Sequence, residues 1–463
     1  MPQDKQVIRM KMDVLAGGGD CLGRHEGVPV FVPFAVPGDR VLVEVGAVGQ
    51  GRRQGTLLEV IEPGPHRVEP LCELFGRCGG CPWMSCSYEE QLRAKVNNAR
   101  RSFRVAGAAT AELGRSDAAI TIEPAGDVFG YRRRARLHWD KVADKAILGF
   151  RKPGERRIVD LGDGGVCLVL KPSLRRAVEE IRRVIQFQGA PPRGEVSVLL
   201  GAEERIHLAF LPPSFNKKAK SKFRFTGDAL KNCKDLVSSG FFAGAAFWEK
   251  RRFHFLGADS IFLEDRNDRK VLGSAACFAQ ANTEVNARIQ KFVQELVHDC
   301  TGPVLELYSG IGNFTLALLA ADTASDRTIT AAEIDPVACD LLKRNSLLWK
   351  AGNGLRIWRK DAQAAVECLS KNIAHGVERS PGLVVMDPPR TGCRKLIEPI
   401  SRLGPKQIIY ISCDSMTCAR DVAGFVSAGY EITNAACFDT MPHTPHFELV
   451  LSLEKNDVKG VRG

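Results

Sequence analysis

The sequence reads as an α/β protein. Residues 276–463 suggest a doubly wound, Rossmann-type sheet, residues 1–62 a small β-barrel, and residues 63–275 a central α+β segment. Three observations lead there. Past residue 276, short apolar strands alternate with helical stretches, the pattern of a parallel sheet covered on both faces. The first sixty residues instead hold short alternating runs broken by glycine, as a small barrel does. A chain of 463 residues is also too long for one compact core.

Composition narrows the class. Hydrophobic residues make up 44% and charged residues 26%, ordinary values for a globular chain. A net charge of +11 favours a polyanionic partner, because phosphates reward clustered Lys and Arg by counterion release. The apolar run 240–248 is among the longest and is far too short to span a bilayer. The N-terminus carries no hydrophobic signal region, so a cytoplasmic protein without a membrane partner is expected. Fifteen cysteines with no secretory signal point to metal ligation or thiol chemistry rather than to disulfides.

Within the barrel segment, the runs 28–34, 40–45 and 55–61 supply strands of OB type. Arg52 and Arg53 fall in the loop before the last of them, where such barrels often grip nucleic acid. Next comes Cys72-x5-Cys78-Gly-Gly-Cys81. Two cysteines separated by two glycines can turn both thiolates onto one metal centre. Cys167 is the favoured fourth ligand and Cys86 the second choice. Four cysteines suit either Zn2+ or an iron–sulfur cluster. An amphipathic helix begins at Tyr88 and is expected to lie against the C-terminal domain. Between 120 and 275, the stretch 131–139 alternates arginines with apolar and aromatic residues, and 216–224 is rich in lysine. Both are candidate RNA contacts.

The chemistry concentrates in the last domain. Helix 283–297 shows apolar residues at helical spacing, and strands and helices then alternate to a final hairpin, 430–437 with 448–453, expected at the sheet edge. Gly310-Ile-Gly312-Asn313 follows a strand and opens a helix, so its N–H groups can approach a nucleotide-like ligand. Glu333 ends the next strand, where a carboxylate can bridge ribose hydroxyls, and Asp361 follows the third, where an adenine amine is held. These features in this order suit S-adenosylmethionine better than NAD. Asp387-Pro388-Pro389-Arg390 ends the fourth strand. Arg390 stands where methyltransferases of exocyclic amines carry an aromatic residue, which turns attention to a ring carbon. Carbon 5 of uracil is too weak a nucleophile unaided, and addition of a thiolate to carbon 6 activates it. Cys413, at the end of the strand 408–412, is the candidate nucleophile. Glu448 is the candidate base for the carbon 5 proton. Pro442 and Pro445 argue against reading His443, His446 and Glu448 as a metal trio.

On these residues, together with Phe278-x-Gln280-x-Asn282, the chain resembles the RNA uridine-5 methyltransferases. The likeness is greatest to the bacterial 23S ribosomal RNA (uracil-5-)-methyltransferases, which carry a TRAM barrel and an iron–sulfur module. The resemblance covers nearly the whole chain. It implies a 4Fe–4S cluster on Cys72, Cys78, Cys81 and Cys167. It also implies donor contacts from Gln280, Tyr308, Gly310, Asn313, Glu333, Asp361 and Asp387, with Gln280 able instead to touch a flipped base. Cys413 is then nucleophile and Glu448 base, in a monomer that forms 5-methyluridine in 23S ribosomal RNA. The alternatives are a transfer RNA substrate or a catalytically silent RNA-binding protein. Two positions depart from the family pattern. Ser309 replaces a cysteine in the cofactor loop, and Asp414-Ser415 replaces Asn-Pro after the nucleophile, where a carboxylate is expected to raise the thiol pKa.

Overall fold

The computed structural model describes residues 6–107, 113, 120–142, 145–162, 166–214, 223–263, 270–297, 302–321 and 328–456. The lysine-rich stretch 216–222 lies outside them. The N-terminal runs form β1 (Gln6–Leu15), β2 (Cys21–His25), β3 (Val28–Val32), β4 (Arg40–Val45) and β5 (Arg53–Glu62). They close into a barrel in the order β1-β2-β3-β5-β4, which leaves no open sheet edge. Alternate residues such as Ile8, Met10, Met12, Val41 and Val43 fill its interior. Buried Asp39 ties the barrel to the chain that leaves it. It accepts from Val36 N (2.7 Å), Gly64 N (2.8 Å) and Arg67 Nη2 (2.6 Å).

The next helix, α1 (Tyr88–Ala106), precedes a short strand, β6 (Thr121–Glu123). The central segment then runs β7 (Arg134–Val142), β8 (Lys145–Arg151), β9 (Ile158–Asp160), α2 (Pro172–Gln186), β10 (Arg193–Leu200), β11 (Ile206–Leu211), α3 (Gly227–Ser238), β12 (Gly244–Glu249) and β13 (Arg252–Gly257). Its sheet has the order β13-β12-β11-β10-β7-β8-β9. Residues of α2 and α3 pack with Leu137, Trp139, Val196 and Phe210 in one core. A two-stranded ribbon, β14 (Ile261–Leu263) with β15 (Val271–Gly273), leads onward.

The C-terminal portion alternates as expected. It comprises α4 (Thr283–Leu296), β16 (Val304–Leu307), α5 (Asn313–Ala320), β17 (Ile329–Glu333), α6 (Pro336–Leu348), β18 (Leu355–Arg359), α7 (Ala362–Ala374), β19 (Leu383–Met386), α8 (Ile397–Leu403), β20 (Gln407–Ser412), α9 (Ser415–Ser427), β21 (Tyr430–Phe438) and β22 (Glu448–Lys455). The strand order is β18-β17-β16-β19-β20-β22-β21-β6, parallel from β18 to β20, with β22 antiparallel to β20. Successive strand residues feed opposite faces. Leu305, Val384 and Tyr410 pack with α7, α8 and α9, whereas Val304, Val385 and Ile409 pack with α4 and α5. Among the described residues, no helix is long and apolar enough to cross a membrane.

Two expectations need correction. The final hairpin is not an edge: β22 inserts between β20 and β21, and β6, from three hundred residues upstream, covers β21. Helix α1 joins the same unit, with Ala99 and Phe103 fully buried beside α9 residues. The 131–139 run is no uniform basic face. Ala135, Leu137 and Trp139 point into the core. Arg133 is buried and donates to Leu200 O (2.8 Å) and Thr283 Oγ1 (2.9 Å), so it serves as a tie between domains rather than an RNA contact. The change Arg67→Met should therefore leave Asp39 as a buried, uncompensated charge, costing about 3–5 kcal/mol. Hydrogen exchange at the barrel amides checks this, with β1 and β4 losing protection first.

Candidate active site

All the residues singled out in the C-terminal domain lie along the carboxyl edge of its parallel strands. That is where a ligand binds an open α/β sheet, at the point between β16 and β19 where the strand order reverses. A cavity opens there, with an enclosed-plus-mouth volume of about 880 Å³, lined by Gln280, Tyr308, Gly310, Asn313 and Asp387, with Phe278 at its exposed rim. The loop that shapes it is sharply turned. Tyr308 (φ 62°) and Gly312 (φ 99°) both sit in the left-handed region. Gly312 also has no room for a side chain: a Cβ would come within 2.5 Å of the Trp349 ring. Asn313 opens α5 and exchanges hydrogen bonds with Asn286 (2.8 and 3.0 Å), while Gln290 Nε2 donates to its carbonyl (2.7 Å). The two α4 residues were not singled out in the sequence, since polar positions on an amphipathic helix carry no signal of their partner.

Glu333 and Asp361 flank this cavity rather than line it. Glu333 Oε2 accepts from Gly310 N (2.9 Å) and Oε1 from Asp335 N (2.7 Å), so this carboxylate braces the glycine loop. Asp361 caps α7 through Ala364 N (2.8 Å). Beneath the loop, fully buried Glu306 Oε2 accepts from Thr315 Oγ1 at 2.5 Å, and burial pushes its carboxyl up to about 8.

The second half of the site is set by strand register. Ser412 of β20 pairs with Leu449 of β22, so the next residue along, Cys413, stands opposite Glu448. In the parallel direction Met386 pairs with Tyr410, which brings Asp387 and Arg390 up the same edge. The Cys413 thiol is half-buried. Burial pushes it up to about 11, and Glu448 adds to the rise, while the charge and hydrogen bond of the Arg390 guanidinium pull it down. Glu448 is held well above the ordinary carboxylate range by burial and by Asp387, and its Oε2 has no hydrogen-bond partner. Burial likewise lifts Asp387 to about 7. Half-buried His446 is pushed down to about 4 by burial and then by Arg390, so it is neutral and its Nε2 accepts from Arg390 Nη2 (3.4 Å). Arg390 thus spans thiol and imidazole, a role the sequence did not assign to it.

Asp414 behaves otherwise than expected. Its carboxylate caps α9, accepting from Thr417 N (2.9 Å) and Thr417 Oγ1 (3.0 Å), and the charges that act most on the thiol are those of Glu448, Arg390 and Asp387. An Asp here fills the helix-capping position.

Far along the chain, Cys72, Cys78, Cys81 and Cys167 line one pocket with Leu74, Phe150 and Val169. Cys86, the second choice for a fourth ligand, is buried instead in the barrel-side core. No three Cys, His, Asp or Glu side chains among the described residues converge tightly enough for a single metal ion.

Comparison with known proteins gives a consistent picture. Residues 264–456 match the family model described as tRNA (Uracil-5-)-methyltransferase. The chain is 28% identical over 466 residues to the 23S rRNA (uracil(1939)-C(5))-methyltransferase RlmD of Marinomonas sp., covering 97% of this chain and 95% of that one. It is 29% identical to the protein of the same name from Chromohalobacter salexigens, covering 99% and 91%. Among solved structures it is similar in fold to the tRNA (uracil-54, C5)-methyltransferase of Pyrococcus abyssi, with TM-score 0.69, 23% identity, and 96% and 100% coverage.

The opposed charges on Cys413 give a signed prediction. Alkylation of Cys413 by iodoacetamide should be slower than that of a free thiol at pH 8 and rise with pH toward about 11. Arg390→Ala should slow it further and Glu448→Gln should speed it, each by roughly three- to tenfold, the effect of half to one pKa unit. Peptide mass spectrometry over a pH series reads both.

Proposed function

We propose that the chain is an RNA uracil-5-methyltransferase that forms 5-methyluridine in 23S ribosomal RNA, acting in the cytoplasm. The observation that carries the reading is the juxtaposition of a half-buried thiol, Cys413, with a buried carboxyl, Glu448, across one step of an antiparallel ladder. Full-length likeness to ribosomal RNA enzymes favours that substrate over transfer RNA.

The steps follow from the site. The Cys413 thiolate, kept beside the Arg390 cation, forms a bond to carbon 6 of a uracil flipped out of the RNA. The electron pair of the 5,6 double bond moves to carbon 5 and the carbonyl. S-adenosylmethionine, accommodated in the Gln280–Asp387 cavity, supplies the methyl group as a sulfonium and leaves as the thioether. Glu448 then takes the proton from carbon 5, the double bond re-forms, and the bond from sulfur to carbon 6 breaks. A carboxyl with a raised pKa suits that last role, because it is a stronger base than an exposed glutamate and is shielded from water.

The four-cysteine pocket fits a 4Fe–4S cluster. What supports the reading is that Cys72, Cys78, Cys81 and Cys167 line one largely apolar space. Gly80 N donates to Cys78 Sγ (3.4 Å), and Arg132 in the pocket wall lowers the cost of thiolate charge on Cys81. Such a group would cross-link the segment after the barrel to the loop after β9.

Two experiments test these readings. With S-adenosylmethionine and 5-fluorouracil-substituted 23S RNA, a covalent protein–RNA adduct should map to the Cys413 peptide and vanish in Cys413→Ala. On ordinary RNA, Glu448→Gln should accumulate a methylated adduct that the unaltered protein resolves. For the cluster, anaerobically purified protein should contain iron and sulfide and absorb broadly in the visible, and Cys78→Ser should lose both. Colourless protein with one zinc would refute the iron–sulfur assignment.

A further inference from the structure

The connection from β21 to β22, residues 439–447, carries His446 and ends on Glu448. It is short, buried, and held largely from outside its own hairpin. Lys95, fully buried on α1, donates to Asp439 Oδ1 (2.5 Å) and Met441 O (3.1 Å). Tyr88 OH donates to Asp439 Oδ2 (2.8 Å) and itself accepts from Ala125 N (2.8 Å). Gln91 Oε1 accepts from His443 N (2.8 Å), and Trp83 N donates to His443 O (3.0 Å). Tyr131 OH reaches Pro442 O (3.2 Å), and the Phe129 ring lies 4.7 Å from that of His443. All these anchors come from residues 83–131. His443 holds a positive φ of 65°, a conformation that persists only where the surroundings over-determine it.

Phe438 pairs across the strands with Glu448, so the strap begins one residue past the cross-strand partner of the candidate base. A buried ammonium is costly unless well paired, and Lys95 and Asp439 are both fully enclosed. By contrast the backbone of the nucleophile takes its support from outside the strap. Cys413 is held by the parallel sheet and by the Asp414 cap of α9.

We propose that Lys95, Gln91 and Tyr88 are positioning residues for proton abstraction: by clamping the 439–447 strap from α1 they hold Glu448 over carbon 5. This rests on the reading of Cys413 as nucleophile and Glu448 as base. Loosening the clamp slows the step after methyl transfer and leaves thiol addition and methyl transfer intact.

The test uses the full-length protein and RNA carrying tritium at carbon 5 of the target uridine, with a methyl-labelled donor. Tyr88→Phe and Gln91→Leu keep the Lys95–Asp439 pair and so preserve the fold, and Lys95→Met with Asp439→Asn removes the pair without leaving a lone charge. In each, adduct formation on 5-fluorouracil RNA and first-turnover methyl incorporation should match the unaltered protein. Tritium release should fall about tenfold or more, and methylated covalent complex should accumulate on ordinary RNA. Equal losses in methyl incorporation and tritium release, or no loss in either, would show a merely structural clamp and overturn the proposal. If the unaltered protein itself gives no adduct, the nucleophile reading fails and this proposal falls with it.

Discussion

The structure depends on one reversal of direction. Five parallel strands put their carboxyl ends, and so their ligand-binding loops, along a single edge. Had a sixth parallel strand followed β20, its amino end would lie at the far side of the sheet. Instead β22 runs antiparallel, so its first residue, Glu448, arrives at the same edge on which β20 ends. An acid and a thiol from positions thirty-five apart in sequence thereby come to stand one step beyond the last ladder pair, Ser412 with Leu449. The same reversal puts the 439–447 connection over the site.

That edge is crowded with acid. Glu306, Asp387 and Glu448 are buried close enough that Asp387 raises both of the others, and Arg390 is the cation that offsets Glu448. Burial disfavours every charged form here and holds these carboxyls toward their protonated forms. A cationic ligand reverses that preference, and a sulfonium donor is such a ligand.

Much of this was legible in the chain, for reasons that can be named. Strand-end residues read well because an apolar run followed by a turn has one physical meaning in a parallel sheet, which is why Cys413, Asp387 and the Gly310 loop stand where expected. Cys72, Cys78 and Cys81, grouped by their spacing, line one pocket with Cys167, the fourth ligand chosen from the residues, though among the described residues no three gather for a single ion. What failed was non-local. Nothing in Thr121–Glu123 announces that it will pair with β21, and nothing in α1 says that its Lys95 will be buried against Asp439, since an amphipathic helix bears lysines as a rule on its wet face. Asp414 misled for the opposite reason: neighbourhood in sequence suggested neighbourhood of charge, whereas its carboxylate turns to the α9 amides.

Arg132 shows how such errors arise and what they conceal. In sequence it heads a run of arginines, and a run of arginines in a basic protein suggests RNA. In the fold it stands where three parts meet. Its backbone N donates to Val169 O beside Cys167 (2.9 Å), its guanidinium reaches Met441 Sδ in the strap (3.5 Å), and it bridges to Asn282, the cap of α4. Its charge also favours thiolate at Cys78, Cys81 and Cys167. An exposed arginine would be free to find phosphate, but one tied to a cysteine pocket, the 439–447 connection and a helix cap cannot leave any of them without cost. The central segment is therefore more than a platform for RNA. Through Arg132 and through α1 it is part of the framework that holds the last domain's reactive edge in shape.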